Sequence, residues 1–523
     1  MTGPGVARRA GRTGADGICL AVDLGTGGPK VGFVRLTGEI LWHDHQLVET
    51  RWLSGGGATQ DAGAWWELIC DAVRRGLASG AVPADQVVAV ACTGQWASTV
   101  PVAEDGEPVG DCILWMDSRG GAYSKAAIGG PVAGYSPRRA LHWVRKTGGA
   151  PSPTGNDPIG HMLYLQHAEP EVAARARWFL EPVDYLTLRF SGVASASHAS
   201  MIADWLTDNR HLDRLEYDEA LIALSGVDAT KLAPLVATGS VVGTVRPDVA
   251  RALGIPETAR VVNGVPDLHS AACGAGAIGD FETHLAISTS SWIGAPVPFK
   301  KTDARRSIVS VPGLSSNRYL IANNHESGGL CLQWLRDTLF PGSSFDELTQ
   351  LAAAASPGAG NVIFTPWLNG ERSPVDDRRA RAGFHNVSVN TLPEELVRAV
   401  LEGVAYNDRW LHEAVESFAK RRLDPIRIVG GGSQSDLWCQ IHADVLDRVV
   451  ERVGDSVNAH LRGAAIFAGL SLGALSAEEV RDAVPVEATF RPDAATRQRY
   501  DRLYAEFPRL YKAQRRMFAR LNA

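Results

Sequence analysis

An apolar run that ends in an acid and a glycine-rich turn, CLAVDLGTGGPKVGFVRL at residues 19–36, constrains the fold of this chain more than any other stretch. The segment after the turn alternates and is rich in β-forming residues, so the pattern predicts strand, turn and strand. In such a hairpin the backbone N–H groups of Gly25 to Gly28 form a nest for an anion such as phosphate. Asp23 then holds a metal ion, or its water, beside the phosphates. A plain β-hairpin is the alternative that this motif leaves open.

Two common phosphate-binding motifs are excluded by the same stretch. A dinucleotide fingerprint requires a third glycine at the position where Lys30 stands. A Walker loop requires four residues between its first glycine and a Gly-Lys-Ser/Thr ending, which GTGGPKV does not supply. The turn therefore belongs to neither of these two classes.

The composition is that of a globular protein of the soluble class. Of 523 residues, 45% are hydrophobic and 21% are charged, as in ordinary folded domains. The chain is too long for one core and suits about three or four units or a large two-lobed α/β enzyme. A formal net charge of −6 argues against nucleic acid as a partner. No apolar run reaches the length of a membrane span, so we expect no membrane partner.

Cysteine usage and the first residues bear on the location of the protein. The seven cysteines are scattered and never form C-x-x-C, which indicates neither a disulfide framework nor a zinc site. A reducing cytoplasm is therefore the expected compartment.

Residues 1–16 contain three arginines but are not followed by a hydrophobic stretch of the kind that a signal sequence needs. We expect these residues to form a disordered leader.

The organisation along the chain predicts an α/β architecture with two related lobes. Strand and helix patterns alternate throughout. When Thr26 is aligned with Thr289, AVDLGTGGPKVGFV lies over LAISTSSWIGAPV, and Leu24 meets Ile287. This internal repeat predicts two small-residue hairpins facing opposite sides of one polyphosphate, with chance similarity as the alternative.

The boundary between the lobes is predicted where the periodicity breaks. Glycine and polar residues interrupt the pattern in GAGAIGDFETH, near residues 276–284. We therefore predict an N-terminal domain over residues 17–278 and a C-terminal domain over residues 279–523. The ligand is expected in the cleft between them, as is common at domain interfaces.

One aspartate is a candidate for acid-base chemistry. Asp267, in VNGVPDLHSAACGAGAIG, lies between a predicted strand and a helix of very small residues. An aspartate there is well suited to cap the helix with its carboxylate. In phosphoryl transfer, an aspartate at such a position also orients an alcohol and accepts its proton. The segment alone leaves both roles open.

Two further segments carry candidate substrate contacts. ILWMDSRG places Trp115, Asp117 and Arg119 in W-x-D-x-R spacing. In an extended segment these side chains share one face, where the acid and the arginine bind hydroxyls or pair with each other. CTGQWAST supplies Gln95 and Trp96 after a predicted strand, a usual place for ligand contacts in an α/β sheet. Ordinary loop residues are the alternative there.

Glycine clusters in the second half suit a nucleotide. Gly430 to Gly432 lie between a predicted strand and a helix and are followed by Ser435. Backbone without side chains allows a flat ligand to lie against it, and a helix N-terminus adds N–H donors. A tight turn is the alternative. Gly329 precedes Gln333, an amide that both donates to and accepts from a purine or a ribose. The loop FTPWLNGERSPVDDRRARAGFHN is long enough to be functional or disordered.

Taken together, the order of these motifs resembles the FGGY carbohydrate kinases, within the actin-like ATPases of the ribonuclease H-like fold. The similarity extends over nearly the whole chain after the leader. It is carried by DLGTGGPK, TGQ, LWMDSR, DYLTLRFSG, GVPDLHSAACGAG, TSSW, SGGLCLQWLRD, FTPWLNGERSPVDD, VGGGSQSDLWCQIHADVL and HLRGAAIFAGL. Each motif alone is modest, and their number and order make the resemblance strong.

The resemblance implies ATP-dependent phosphorylation of a sugar or polyol hydroxyl between two lobes, with ATP and Mg²⁺ as cofactors. It implies that Asp267 is the catalytic base and that Asp23 lies near the magnesium ion. Binding of both substrates is expected to close the lobes and exclude water. The other implied site residues are Thr26, Gly27, Thr289, Gly329, Gln333, Gly431, Gly432 and Ser435 for the nucleotide, and Gln95, Trp96, Ala97, Trp115, Asp117 and Arg119 for the sugar.

Within the family, the sequence looks most similar to xylulose kinases, which implies a ketopentose as substrate. Those enzymes usually carry Gln-Met-His-Gly where this chain has Trp96 and Ala97 after the glutamine. Loss of an imidazole removes a polar sugar contact and argues against D-xylulose itself. Ser288 also replaces a usual glycine, and Arg462 replaces a usual apolar residue and is expected to be exposed.

Two alternatives to a ketopentose kinase remain at this point. A polyol kinase for glycerol, a tetritol or a pentitol carries the same motifs. A non-catalytic actin-like ATP-binding protein shares the phosphate hairpins but has no use for a sugar cleft. The expected partner is a small-molecule sugar or polyol, and a homodimer is left open.

Overall fold

The computed structural model describes residues 16–132 and 134–522. Residues 1–15 of the predicted leader lie outside the described residues. The strands are β1 (Ile18–Gly25), β2 (Gly28–Arg35), β3 (Ile40–His45), β4 (Arg51–Leu53), β5 (Gly57–Gln60), β6 (Val87–Gly94), β7 (Val100–Val102), β8 (Cys112–Ile113), β9 (Gly129–Val132), β10 (Trp178–Leu180), β11 (Ala196–Ser197), β12 (Leu235–Val236), β13 (Val241–Thr244), β14 (Arg260–Pro266), β15 (Thr283–Ile287), β16 (Ser291–Gly294), β17 (Pro296–Val297), β18 (Thr302–Asp303), β19 (Ile308–Pro312), β20 (Tyr319–Ala322), β21 (Ile363–Thr365), β22 (Gly383–His385), β23 (Ile426–Val429), β24 (Val450–Val453) and β25 (Val486–Phe490).

The helices connect and cover these strands. They are α1 (Ala62–Ala78), α2 (Gly121–Ile128), α3 (Pro137–Thr147), α4 (Pro158–Ala168), α5 (Pro170–Arg175), α6 (Pro182–Ser191), α7 (Glu219–Ser225), α8 (Pro247–Leu253), α9 (Asp267–Gly274), α10 (Leu330–Leu339), α11 (Phe345–Ala354), α12 (Pro393–Ala419), α13 (Asp436–Leu446), α14 (Ala459–Ser471), α15 (Ala477–Ala483) and α16 (Ala494–Leu521). None of the helices within residues 16–132 and 134–522 combines the length and apolar character needed to cross a membrane.

The first sheet contains the hairpin predicted from the opening motif. Its strand order is β13-β14-β6-β1-β2-β3. β1 and β2 are antiparallel with Gly25 opposite Gly28, so Thr26 and Gly27 form the turn. β6 is parallel to β1, and β14 is parallel to β6. The predicted strand, turn and strand are therefore confirmed.

The second sheet repeats this arrangement, as the internal alignment predicted. Its order is β16-β15-β23-β24-β25. β15 and β16 form an antiparallel hairpin with Ile287 opposite Ser291. β23 is parallel to β15, and β24 is parallel to β23. Each half thus places a hairpin beside two parallel strands, in the same order and direction.

Two glycines mark equivalent points in the two halves. Gly94 ends β6 with φ 150°, and Gly430 follows β23 with φ 92°. A Cβ atom on Gly94 would overlap the carbonyl of Leu24, and one on Gly430 would overlap the carbonyl of Ile287. Leu24 and Ile287 are the residues that the internal alignment pairs, so each glycine lets its strand end approach the hairpin of its own half.

The two halves meet through a close crossing of α9 and α14. A Cβ on Gly274 would overlap the carbonyl of Ala459, and one on Gly463 would overlap that of Ser270. The very small residues of these helices therefore allow backbone to pack on backbone. The expectation that Arg462 is exposed was wrong: it is buried and donates to the carbonyls of residues 38, 274, 454 and 455.

Each half has its own apolar core. Phe33, Trp65 and Tyr185 lie in the first, and Trp367 and Tyr406 lie in the second. Residues 275–282 connect α9 to β15. The division at residue 278 falls within this connection and stays a prediction.

Candidate active site

Three parallel strands of the first sheet end at the same edge. Leu24 of β1 is in register with Gly94 of β6, and Gly94 is in register with Pro266 of β14. The residues that follow these positions are the first glycine turn, Gln95 and Asp267. Side chains from three distant parts of the sequence are therefore brought to one place, at the edge where open α/β sheets bind ligands.

Asp267 is a half-buried acid at this edge. It is the first residue of α9, and Pro266 occupies the cap position before it. The Oδ1 atom of Asp267 accepts the N–H of Leu268 at 2.7 Å, so the carboxylate does not cap the helix in the usual way. Burial and the charge of Asp23 raise the pKa of Asp267 to about 6, although the charge of His460 opposes them.

Asp23 is buried beside His460. Its Oδ2 atom lies 3.7 Å from Nδ1 of His460, near the start of α14. Burial alone would raise the pKa of Asp23, but His460 and the charges of Lys30 and His45 lower it. Burial alone would lower the pKa of His460, but Asp23 and Asp267 raise it. An ionised Asp23 is the result.

The first turn is linked to the predicted sugar contacts by hydrogen bonds. Thr26 Oγ1 donates to Gln95 Oε1 at 3.1 Å, and it accepts the indole N–H of Trp115 at 3.1 Å. The backbone N–H of Trp115 donates to Ser98 Oγ at 3.0 Å. The hydroxyl of Thr26, predicted to serve the nucleotide, thus contacts the residues predicted to serve the sugar.

The amide nitrogen of Gln95 is an unpartnered donor. Gln95 is buried, and its Nε2 atom has no hydrogen-bond acceptor within residues 16–132 and 134–522. A buried donor without an acceptor costs about 1–3 kcal/mol. A sugar hydroxyl that reaches this atom would remove that cost, so the residue fits its predicted role.

Asp117 and Arg119 lie in a turn rather than in the extended segment considered from the spacing. The N–H of Asp117 donates to the carbonyl of Leu114 at 2.8 Å. The carboxylate of Asp117 accepts from Arg119 Nε at 2.9 Å and from the N–H of Ala58 at 2.9 Å. Arg119 also donates to the hydroxyl of Tyr164 at 3.1 Å. These two residues pair with each other, the second role that the sequence left open.

Two aromatic side chains from opposite halves pack near Asp267. Trp96 and Trp292 contact one apolar cluster that includes Leu268, the residue after Asp267. The Nε1 atom of Trp292 is buried without an acceptor in the described part of the chain, and its ring centroid is 6.2 Å from that of His460. Trp292 and His460 belong to the motifs TSSW and HLRGAAIFAGL, but the sequence analysis assigned a role to neither residue. The repeat offered a signal for Trp292, which is the second residue of β16, the strand that follows the second hairpin turn.

The second turn packs against the glycine pair that precedes α10. The N–H of Gly328 donates to the carbonyl of Thr289 at 2.9 Å, and the N–H of Gly329 donates to that of Ser288 at 2.6 Å. A Cβ on Gly328 would lie 2.7 Å from the carbonyl oxygen of Ser290. The predicted nucleotide residues Thr289 and Gly329 are therefore neighbours.

The remaining predicted nucleotide residues lie at helix starts. Gln333 is exposed on the first turn of α10. Ser435 caps α13, and its hydroxyl accepts the N–H of Trp438 at 3.2 Å. Gly431 is exposed, and a Cβ added to it would have no atom within 4 Å, whereas a Cβ on Gly432 would overlap Ile287. Open backbone at Gly431 suits a flat ligand.

The two turns offer unpaired backbone donors. The N–H groups of Thr26, Gly27, Thr289 and Ser290 donate to no acceptor among the residues that the structure describes. Successive free N–H groups of this kind form anion sites. Both hairpin turns therefore suit phosphate oxygens.

Asp23 fits a magnesium ion that is shared with phosphate. Mg²⁺ is usually held by one or two carboxylates together with substrate phosphates and water. Within residues 16–132 and 134–522, no group of three or more His, Cys, Asp or Glu side chains is arranged to hold a metal. A buried, ionised carboxylate beside a turn with free N–H groups matches the phosphate-sharing arrangement rather than a protein-only cage.

Comparison with known proteins agrees with this geometry. Residues 18–274 match the N-terminal domain of the FGGY family of carbohydrate kinases, and residues 288–472 match its C-terminal domain. A xylulose kinase from Staphylococcus epidermidis is 26% identical over 515 residues, 96% of this chain and 98% of the relative. A gluconokinase from Bacillus licheniformis is 26% identical over 434 residues, 80% of each chain.

Solved structures share the fold. A ligand-bound xylulose kinase from Lactobacillus acidophilus superposes with a TM-score of 0.84 at 20% identity, over 96% of this chain and 99% of the other. A glycerol kinase from Plasmodium falciparum with ADP gives a TM-score of 0.80 at 18% identity, over 95% and 98% of the two chains. The predicted two-lobed, actin-like α/β fold is confirmed, and the chain belongs to the FGGY family of carbohydrate kinases.

Proposed function

We propose that this carbohydrate kinase transfers the γ-phosphoryl group of ATP to a hydroxyl of a ketopentose or a related polyol, with Asp267 as general base. One observation carries the proposal. The carboxyl of Asp267 and the unpartnered amide of Gln95 follow adjacent strands at the sheet edge that also bears the first turn. An acceptor alcohol held by Gln95 would therefore lie beside a base and a phosphate site.

Asp267 is suited to accept the proton of that alcohol. Its Oδ1 atom accepts the N–H of Leu268, and a hydrogen bond with the side chain of Trp96 also favours the ionised carboxylate. With a pKa raised to about 6, the carboxylate is ionised at neutral pH and more basic than an ordinary aspartate. This suits a general base, whose effective pKa lies near the working pH.

The two turns would hold ATP from opposite sides. We assign Thr26 and Gly27 to one side of the phosphates and Thr289 to the other, with Gly329, Gln333, Gly431, Gly432 and Ser435 around the nucleoside. Bound Mg²⁺, held through Asp23, would neutralise charge on the phosphate oxygens. We place the sugar unit at residues 17–278 and the nucleotide unit at residues 279–523.

The sugar side is assigned to the segment after β6 and to the neighbouring turn. Gln95 would donate to a sugar oxygen, while Trp96 and Ala97 shape the wall with apolar surface. Trp115 is held in place by Ser98. Asp117 and Arg119 would position this turn through their ion pair, which spans 2.8 Å.

Our proposal for the substrate class is based on similar proteins whose names indicate different substrates. The similar proteins named xylulose kinase favour a ketopentose, and the gluconokinase favours an aldonate as a second candidate. An ADP-release assay across ketopentoses, tetritols, pentitols, glycerol and aldonates would test the proposal. We expect one class to stimulate turnover strongly. An empty panel with intact ATP binding would instead support a non-catalytic actin-like protein.

We predict that Ala97→His raises kcat/KM for D-xylulose relative to the other substrates. Ala97 has φ 61°, a conformation that histidine adopts more readily than most residues. The new imidazole would add a polar contact, and one such hydrogen bond is worth about 0.5–1.5 kcal/mol, or about two- to tenfold. Steady-state kinetics on both enzymes measures this change. An unchanged ratio of kcat/KM values would refute the role given to this position.

A further inference from the structure

The first turn is fixed on its inner side by the side chain of Gln60. This residue ends β5 and is fully buried. Its Nε2 atom donates to the carbonyl of Thr26 at 2.7 Å and to Thr50 Oγ1 at 3.0 Å. Its Oε1 atom accepts the indole N–H of Trp65, a core residue of α1, at 3.1 Å. The side chain of Gln60 therefore links the turn to the core of its own half.

The partners of Gln60 determine which way its amide group faces. An indole N–H can only donate, and a backbone carbonyl can only accept. The amide oxygen of Gln60 must therefore face Trp65, and its NH₂ group must face Thr26. The opposite orientation would bring two donors together at Trp65 and two acceptors together at Thr26. Gln60 is thus held as a donor to this one carbonyl of the turn.

This hydrogen bond also sets the direction of a backbone donor. The carbonyl of Thr26 and the N–H of Gly27 belong to one planar trans peptide, in which they point in opposite directions. Gln60 holds the carbonyl toward the protein interior, so the N–H of Gly27 points away from it. Gly27 is exposed. The free N–H therefore faces the open side of the turn, where a phosphate could bind.

The second turn has an equivalent contact that is made by backbone alone. Thr289 is the residue that the internal alignment pairs with Thr26. Its carbonyl accepts the N–H groups of Gly328 at 2.9 Å and of Leu330 at 3.2 Å. The same carbonyl is thus held in both halves, by a side-chain amide in the first and by backbone N–H groups in the second. Different means with the same result indicate that the direction of this peptide matters in both turns.

We propose that Gln60 is a positioning residue that keeps the N–H of Gly27 directed at the phosphates of ATP. The part about ATP rests on the proposed function. Without the amide donor, the carbonyl of Thr26 would be buried without a partner, which proteins rarely tolerate. The peptide between Thr26 and Gly27 then rotates toward another donor. Its N–H leaves the phosphate site, and the affinity for ATP falls.

Gln60→Met tests the proposal, because it keeps the length of the side chain and removes the donor. We expect the Kd for ATP to rise about tenfold, or about 1.4 kcal/mol, as for the loss of one hydrogen bond to a charged group. The Kd for adenosine should stay unchanged, because adenosine has no phosphates and we assign the nucleoside to the other half. Calorimetry measures both. Equal rises for ATP and adenosine would overturn the proposal.

Thr50→Val is the matched control, because it removes the other acceptor of the same amide. Gln60 still donates to Thr26 in this variant, at 2.7 Å in the wild type. The buried amide loses one partner, so we expect a lower Tm together with a wild-type Kd for ATP. A tenfold rise of that Kd in Thr50→Val would mean that any damage near Gln60 weakens ATP binding, which would contradict a specific role.

A second variant protects the test if Gln60→Met does not fold. Gln60→Asn keeps the amide but shortens the side chain by one methylene, so the amide cannot reach both Trp65 and Thr26. We expect the same rise in the Kd for ATP and the same unchanged Kd for adenosine. Equal rises for the two ligands would count against the proposal here as well.

Amide hydrogen exchange separates this proposal from the proposed function, because it needs no ligand. The N–H of Val48 donates to the carbonyl of Gly27 at 3.0 Å, so its protection reports the conformation of the turn. Protection of a peptide that contains Val48 should fall in Gln60→Met and not in Thr50→Val. Equal protection in the wild type and Gln60→Met would refute the support of the turn by Gln60, even in an active enzyme. Lost protection with an unchanged Kd for ATP would uphold that support and refute the phosphate site at the first turn.

Discussion

Asp267→Asn should lower kcat for sugar phosphorylation by about 10²- to 10⁴-fold, the usual contribution of a general base. The amide has nearly the same shape and still accepts the N–H of Leu268, which Asp267 accepts at 2.7 Å. It cannot take a proton from the acceptor alcohol. A coupled ADP-release assay with the best sugar measures the loss, and nucleotide binding is followed by calorimetry.

The control for this variant is an acid outside the site. Asp280→Asn removes an exposed carboxylate that pairs with Arg318 at 2.8 Å, and exposed pairs of this kind contribute little to stability. We expect wild-type turnover from it. Near-wild-type turnover in Asp267→Asn would mean that the base has been assigned to the wrong residue.

Gly431→Val should raise the Kd for ATP about 10- to 100-fold while the protein stays folded. The structure offers open space there, since no atom lies within 4 Å of the added Cβ, so the fold accepts a valine. The side chain would occupy the space that we assign to the nucleotide, and overpacking costs about 1–3 kcal/mol. Calorimetry with ATP and a thermal melt measure the two effects separately.

Gly432→Val is the informative contrast, because a Cβ there would overlap the side chain of Ile287. We expect it to lower the Tm, whereas Gly431→Val leaves the Tm unchanged.

Gly27 has an equally open Cβ position on the first turn, so Gly27→Val should weaken ATP binding as well. Wild-type affinity for ATP in Gly431→Val would place the nucleotide elsewhere.

Local patterns predicted the framework of this protein well. Alternation and a glycine turn identified the hairpin of β1 and β2, and the alignment of Thr26 with Thr289 identified its counterpart. The pairing of Leu24 with Ile287 is reproduced by Gly94 and Gly430, which approach those two carbonyls. These features are readable because strand periodicity and turn chemistry act over a few residues.

Contacts between distant segments could not be read in the same way. Glu181 binds residues 97 and 98 across more than eighty positions of sequence, and no local pattern marks such a partner. Arg462 looked like a surface residue, yet carbonyls from three separate segments satisfy its guanidinium. His460 begins the motif HLRGAAIFAGL, but the motif indicated no role for it. Its interaction with Asp23 and Asp267 depends on the crossing of α9 and α14.

The W-x-D-x-R segment shows a second limit of prediction from sequence, which concerns the direction of side chains. The spacing alone was compatible with two roles for Asp117 and Arg119, namely binding of substrate hydroxyls and pairing with each other. The turn in which they lie brings the acid to the N–H of Ala58 and to the arginine. Spacing specifies which residues are near in sequence, whereas the backbone conformation decides which way their side chains point.

The most direct test of the central claim is a crystal structure with the best acceptor sugar and a non-hydrolysable ATP analogue. We predict an acceptor hydroxyl about 2.6–3.2 Å from the carboxylate of Asp267, as a general base requires. Gln95 Nε2 should donate to the same sugar, and the phosphates should lie between the turns at Thr26 and Thr289. A sugar bound without contact to Asp267, or phosphates away from both turns, would contradict the account.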